Sequence, residues 1–163
     1  MEKILAPLDH ALRWALILLM VGLVLAVTWQ VVSRYLFASP SSWTEEIARF
    51  LLIWIGTLGA AYAFRLNAHI GLDLLPKKLS GAAARRLHWF TLCMIMLFAV
   101  AVLVIGGSRL VFLTWDLRQY SAVLGLPIAF VYSIIPVTGV LIVIYSLAAF
   151  PHVPDADATL EVD

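Results

Sequence analysis

The amino-acid sequence predicts an all-α integral membrane protein with four transmembrane helices. Of its 163 residues, 63% are hydrophobic and 13% are charged, whereas soluble domains average about 45–50% apolar and about 25% charged residues. A soluble protein of this size has too little interior to bury so much apolar surface. Four apolar segments follow one another along the chain, and we expect residues 1–163 to form a single membrane domain.

The first two predicted spans cover about residues 12–35 and 45–66. The first contains an uncharged run over residues 14–33, which is longer than the apolar region of a signal peptide, about 7–15 residues. We therefore expect it to be retained as a helix. The uncharged part of the second span is shorter, so Arg49 and Arg65 must extend their charged groups toward the headgroups.

The last two predicted spans cover about residues 87–114 and 124–150, and an acidic tail follows over 151–163. Pro127 lies near the start of the fourth span and Pro136 lies inside it. Proline is tolerated in membrane helices, where it usually produces a kink.

The distribution of basic residues predicts the orientation. Cytoplasmic loops of membrane proteins carry an excess of lysine and arginine. The second loop contains more lysine and arginine residues than the first or the third, namely Arg65, Lys77, Lys78, Arg85 and Arg86. We therefore expect this loop, and with four crossings both termini, on the cytoplasmic side. The tail is cytoplasmic in this interpretation.

The segment between the second and third spans, residues 65–87, is amphipathic, and Pro76 interrupts any single helix within it. We expect a helical arm on the inner membrane surface. Its basic residues would bind anionic headgroups of membrane lipids; they are Lys77, Lys78, Arg85 and Arg86. Simple anchoring and a rigid brace for a partner protein are both compatible with this pattern.

The beginning of the second span combines capping and charge signals. Ser42 and Glu45 have the spacing of a capping box, and Glu46 also lies where the helix dipole favours negative charge. Arg49 lies four residues after Glu45 and three after Glu46, so it can pair with either. Next to these residues, Trp43 marks the outer interface. The set fits a charge-balanced helix end or a contact site for another protein.

Gly56 and Ala60 in the second span have the four-residue spacing that lets membrane helices approach closely. They fit packing within the bundle of this chain or docking against another subunit.

Arg65, His69 and Asp73 recur at four-residue intervals and share a face if the second helix continues into the cytoplasm. A haem or metal site at this depth is one interpretation. Isolated interfacial histidines and a local Asp73–His69 contact agree better with the spacing, so we expect no metal and no cofactor in this chain.

The chain lacks the sequence signatures of enzymes and of carriers. It contains no phosphate loop, nucleophile elbow or zinc spacing. Ionisable residues at mid-bilayer usually mark ion or substrate paths, and none lies near the centre of any predicted span. We therefore expect a non-enzymatic accessory or scaffolding subunit.

The second span and its flanks resemble a known family in the segments WTEEIARFLLIW (43–54), AYAFR (61–65) and HIGLD (69–73). Together with the length and the four spans, they are similar to the small membrane subunit, DctQ, of tripartite ATP-independent periplasmic (TRAP) transporters. The resemblance extends from about residue 8 to residue 150.

The resemblance implies a role in a three-part, sodium-driven uptake system for an organic acid in the bacterial inner membrane. A periplasmic binding protein would deliver the substrate, and a large permease subunit would carry it by symport. The small subunit would enlarge the fixed scaffold of the large one, with no nucleic-acid partner. Carried over by position, Glu45, Glu46 and Arg49 lie at the periplasmic end of the second helix. Arg65, His69 and Asp73 lie at its cytoplasmic end.

Two other functions remain open from the sequence. A haem-binding or respiratory membrane anchor would need two histidines that face each other, and His10, His69 and His88 lie at one depth. A small proton-coupled exporter would need a membrane-embedded carboxylate, whereas Glu45 and Glu46 lie at a helix end beside Arg49.

Overall fold

A computed structural model describes residues 2–36, 41–66 and 82–149 of the chain. The helices, in chain order, are α1 (Glu2–Leu36), α2 (Ser42–Arg65), α3 (Ala82–Phe98), a π-helical segment (Ala99–Gly106), α4 (Gly107–Asp116), α5 (Ile128–Tyr132) and α6 (Ile134–Ala149). The described part of the chain contains one isolated β-bridge, between Tyr120 and Pro127, and no strand. The predicted all-α fold is confirmed.

Four helical stretches are long and apolar enough to cross a membrane, and they are Leu5–Leu36, Ser42–Arg65, Arg86–Asp116 and Ile128–Ala149. This confirms the predicted four spans. α1 begins well before the expected residue 12. The fourth span begins at Ile128 rather than near residue 124, because Pro127 is the N-cap of α5 and has extended backbone angles. Most of the predicted interfacial arm, residues 67–81, lies outside the described residues.

The core of the bundle lies where α1, α2 and α6 meet. Its buried apolar side chains are Leu5, Leu12, Leu58, Ile134 and Tyr145. A second cluster joins α2, the π-helical segment and α6 through Ala61, Ala99 and Ile142. Large apolar side chains along the rest of α1 are exposed, as expected for a helix whose outer face contacts lipid.

The third span packs closely against α6 through two glycines. A Cβ atom on Gly139 would lie 2.8 Å from Cβ of Leu103 and 3.0 Å from the backbone nitrogen of Val104. A Cβ on Gly107 would lie 2.9 Å from Cγ2 of Ile135. Small residues at such crossings let helix backbones approach in lipid, so the third span and α6 form one tightly packed unit.

The fourth span is interrupted between α5 and α6, at Ser133. Pro136 has no backbone N–H, and its ring conflicts with the carbonyl four residues earlier, which favours a break at this point. The indole Nε1–H of Trp54 donates a 3.0 Å hydrogen bond to the carbonyl oxygen of Val131, next to the break. The ring of Trp54 also packs on Phe130, 5.7 Å between centroids. The indole N–H group of Trp54, deep in the second span, thus has a hydrogen-bond acceptor without any water molecule.

Candidate functional site

The start of α2 is stabilised differently from the expected capping box. Ser41, not Ser42, is the N-cap residue, with φ −86° and ψ 102°. Thr44 is fully buried, and its hydroxyl donates a 2.8 Å hydrogen bond to the carbonyl oxygen of Ser41 and also contacts the Ser41 hydroxyl. The capping-box prediction for Ser42 and Glu45 is therefore wrong. Glu45 takes no part in this cap, and its side chain is exposed.

Glu45 and Arg49 form an ion pair on the outer surface of α2. Nη2 of Arg49 lies 3.3 Å from Oε1 of Glu45, and the two side chains are 67% and 59% exposed. Of the two acidic partners that the spacing permitted for Arg49, the structure brings Glu45 into contact. Exposed pairs of this kind contribute about 0–1 kcal/mol to stability. The fold therefore gains little from this pair. Trp43, beside it, is 47% exposed.

Glu46 points to the other side of the helix and holds the loop between α4 and α5. Its Oε2 accepts hydrogen bonds from the backbone N–H groups of Val123, at 3.2 Å, and Leu124, at 3.0 Å. The loop is compact, with a 2.8 Å bond from Ser121 N to Leu126 O and a left-handed Gly125 at φ +64°. Glu46 thus links α2 to a loop 77 and 78 residues away along the chain.

An outward face of α2 continues from this ion pair along the membrane span. Arg49, Leu52, Gly56 and Ala60 follow one another at helical spacing, and all four are exposed. A Cβ added to Gly56 would have no atom of another element within 4 Å. Two roles were expected for the Gly56–Ala60 pair, packing within this bundle and docking against another subunit. The described residues do not show the first of these roles.

The opposite end of α2 carries a three-residue polar cluster. Nε of Arg65 lies 3.1 Å from Oδ2 of Asp9 in α1, and the two side chains are 30% and 26% exposed. The guanidinium carbon of Arg65 lies 5.9 Å from the ring centroid of Tyr145 in α6. Asp9, Arg65 and Tyr145 thus join three helices at one end of the bundle, and we call them the Asp–Arg–Tyr cluster.

Several predicted residues lie outside the described residues, namely His69, Asp73, Lys77 and Lys78. The side chain of Arg85 is also not described, and Arg86 is exposed at the start of the third span. Within the described ranges, no group of three histidine, cysteine or acidic residues is arranged to hold a metal ion. His10 accepts a 2.8 Å hydrogen bond from Nε1 of Trp14 instead.

Sequence reasoning missed Asp9 and Tyr145. Asp9 lies in a mostly apolar stretch near the N-terminus, and Tyr145 lies in the mostly apolar fourth span. One signal was present: Asp9 is the acidic residue nearest the inner end of the first predicted span, at the depth expected for Arg65. Pairing charged residues by their predicted depth in the membrane, rather than by sequence spacing, would have suggested the Asp9–Arg65 pair.

These features define a class of protein: a small four-span helical membrane protein with polar contacts at both helix ends and small residues on an outward face. The comparison with family models is specific. Residues 23–152 match the DctQ component of tripartite ATP-independent periplasmic transporters. The chain belongs to this family. It is accordingly a multi-pass inner-membrane component of a transporter and not an enzyme.

Individual relatives agree with this assignment. The chain is 33% identical over 139 residues to a Haemophilus influenzae protein described as a TRAP transporter small permease protein, covering 83% of this chain and 84% of that one. It is 31% identical over 134 residues to the sialic acid TRAP transporter small permease protein of Vibrio cholerae, covering 79% and 73%.

A third relative is a longer chain. The isethionate TRAP transporter permease protein DctMQ of Oleidesulfovibrio alaskensis is 26% identical over 125 residues, which cover 73% of this chain but only 20% of that one. The family assignment favours the transporter subunit over a haem anchor or a small exporter.

Proposed function

We propose that this chain is the fixed scaffold subunit of a TRAP transporter and that the outward face of α2 docks on the large permease subunit. The observation that carries the proposal is the exposure of Gly56. A Cβ added to this glycine would meet no atom of another helix within 4 Å among the described residues, although small residues in membrane helices usually serve close helix contacts. A helix of the large subunit supplies that contact.

Two further observations support this docking face. The Glu45–Arg49 pair continues the same face and contributes little to the fold of this chain, since both side chains are well exposed. The DctMQ relative combines a region similar to this chain with a much longer polypeptide. This combination in one polypeptide supports an assembly of the small subunit with a large permease.

The whole transporter, in this proposal, takes up an organic anion with sodium, and a periplasmic binding protein delivers the substrate. The names of the relatives support an organic anion, since they refer to sialic acid, isethionate and C4-dicarboxylate. Both termini of this chain lie in the cytoplasm, and it holds no resident cofactor. Uptake should require all three components and stop when sodium is replaced by potassium.

The docking face is tested by adding bulk where this chain has no neighbours. Gly56→Leu should reduce the yield of large subunit that co-purifies with the tagged chain at least fivefold. The matched control is Ala11→Leu, which adds nearly the same bulk at an exposed position of α1 and should leave the yield unchanged. Equal yields from both variants, with unchanged expression, would place the docking face elsewhere.

The polar end of this face has its own test. Arg49→Gln or Glu45→Gln should reduce complex yield and substrate uptake more than Lys77→Gln, because the pair lies on the docking face and Lys77 belongs to the predicted basic arm. Indistinguishable, negligible effects of all three changes would refute a role of the pair in assembly.

A further inference from the structure

Arg109 is a charged residue inside a membrane span, and it forms no ion pair with any residue that the structure describes. The third span runs from Arg86 to Asp116, and Arg109 lies seven residues before its end, roughly 10 Å along the helix. Its side chain is exposed. Because an arginine within a bilayer is costly and normally has a partner, an anionic group beyond the described residues would stabilise it at this position.

The direction of Arg109 is set by the packing of α4. Gly107 contacts Ile135 and Pro136 of α6 closely, so its side of the helix faces the bundle. Two residues further along an α-helix correspond to a rotation of about 200°. Arg109 therefore projects away from the bundle, toward the surrounding bilayer.

An open groove lies beside Arg109, between α4 and the break in the fourth span. Its volume is about 310 Å³, and it is lined by Ser108, Val111, Phe112, Trp115, Ser133 and Pro136. The groove lies where one face of α4, with Ser108, Val111, Phe112 and Trp115, meets the fourth span at the break at Ser133. The hydroxyl of Ser133 is used within its own helix, where it donates to the carbonyl oxygen of Phe130 at 2.7 Å.

The groove and the arginine are adjacent. Phe112, which lines the groove, lies three residues after Arg109 and therefore on a neighbouring position of the helix surface. The groove is mostly apolar. A cavity of about 150 Å³ is enough to hold benzene, so this groove has room for a substantial part of a fatty-acyl chain.

We propose that one phospholipid binds here, with an acyl chain in the groove and its phosphate on the Arg109 guanidinium. Arginine donates paired hydrogen bonds to phosphate oxygens, and its long side chain can reach from this depth to the headgroup layer. An amphipathic lipid satisfies the charge and the apolar groove together. A carboxylate of a partner protein would satisfy only the charge. The site is independent of the docking face proposed on α2.

The test uses the full chain in mild detergent and phosphatidylglycerol with brominated acyl chains, because bromine quenches tryptophan fluorescence at contact. The signal is the difference in quenching between the unchanged protein and the Trp115→Phe variant, because this difference reports on Trp115 in the groove alone. With rising lipid content, this signal should saturate. Arg109→Gln should raise the lipid content at half-saturation at least fivefold, and Ser108→Leu, which fills the groove, should lower the maximal quenching.

Arg34→Gln is the matched control, because Arg34 is an exposed arginine at the end of α1, a helix that contributes no residue to the groove lining. It should titrate like the unchanged protein. Quenching that rises without saturation, and equally in the unchanged protein and Arg109→Gln, would overturn the proposal. It is also overturned if Arg109→Gln leaves the lipid titration unchanged but reduces co-purification of the large subunit, since a protein carboxylate would then be the partner.

Discussion

Replacing Arg65 by glutamine should destabilise the isolated chain, because Arg65 is the cation of the Asp–Arg–Tyr cluster. The change leaves Asp9 without its 3.1 Å partner at Oδ2, while Oδ1 of Asp9 is already buried and unpaired among the described residues. It also removes the guanidinium from the ring of Tyr145. Three helices lose a shared contact at one end of the bundle.

The expected magnitude follows from the partial burial of the pair. Breaking a buried ion pair costs about 3–5 kcal/mol, and an exposed pair is worth about 0–1 kcal/mol. The Arg65 and Asp9 side chains are 30% and 26% exposed, so the cost should lie between these limits, at about 2 kcal/mol. Asp9→Asn should cost less, because the freed guanidinium can extend into water.

The assay is equilibrium unfolding in mixed mild-detergent and dodecyl sulfate micelles, followed by tryptophan fluorescence. The double variant Asp9→Asn/Arg65→Gln should be more stable than the sum of the single effects predicts, by about 1 kcal/mol or more. Arg49→Gln, which breaks the exposed pair on the same helix, is the control and should cost less than about 1 kcal/mol. Additive effects of the two single changes, or an Arg65→Gln variant as stable as Arg49→Gln, would refute this reasoning.

Further predictions concern the other contacts. Glu46→Ala should increase amide hydrogen exchange at Val123 roughly three- to tenfold, because this N–H group loses its acceptor. The increase at Leu124 should be smaller, because its N–H group also donates to Oγ of Ser121 at 3.1 Å; the neighbouring Glu45→Ala should leave both amides unchanged. Trp54→Phe should destabilise the chain by about 1–2 kcal/mol in the same unfolding assay, since the Val131 carbonyl loses its donor. Gly139→Ala should cost about 1–3 kcal/mol through its clash with the third span, and an unchanged stability would contradict the close approach.

The spans were predictable because the sequence signal for them is local. An apolar run of sufficient length has few alternatives to crossing the bilayer, and this property does not depend on tertiary contacts. The pairing of Glu45 with Arg49 was also within reach, since four-residue spacing places both on one helix face. The spacing allowed Glu46 equally well as a partner of Arg49. The two acidic residues differ only because the α4–α5 loop lies within reach of Glu46.

The contacts that determine the bundle were not predictable in this way. Asp9 and Arg65 are 56 residues apart, and Glu46 and Leu124 are 78 apart, so no periodicity connects them. The glycines show the same limit. Gly56 and Gly139 look alike in sequence, yet of these two only Gly139 would bring an added Cβ within 4 Å of another described helix. Which small residue is packed depends on the helix arrangement, which a single sequence does not specify.

The central claim is that this chain assembles with a large permease subunit, and the most direct test is its composition after purification. The chain would be tagged, expressed in its native host and extracted in mild detergent, and the purified material analysed by mass spectrometry and by particle mass. We predict one large polytopic permease in a near one-to-one ratio with this chain. A homodimer of this chain alone, or a complex with haem or respiratory subunits, would contradict the claim.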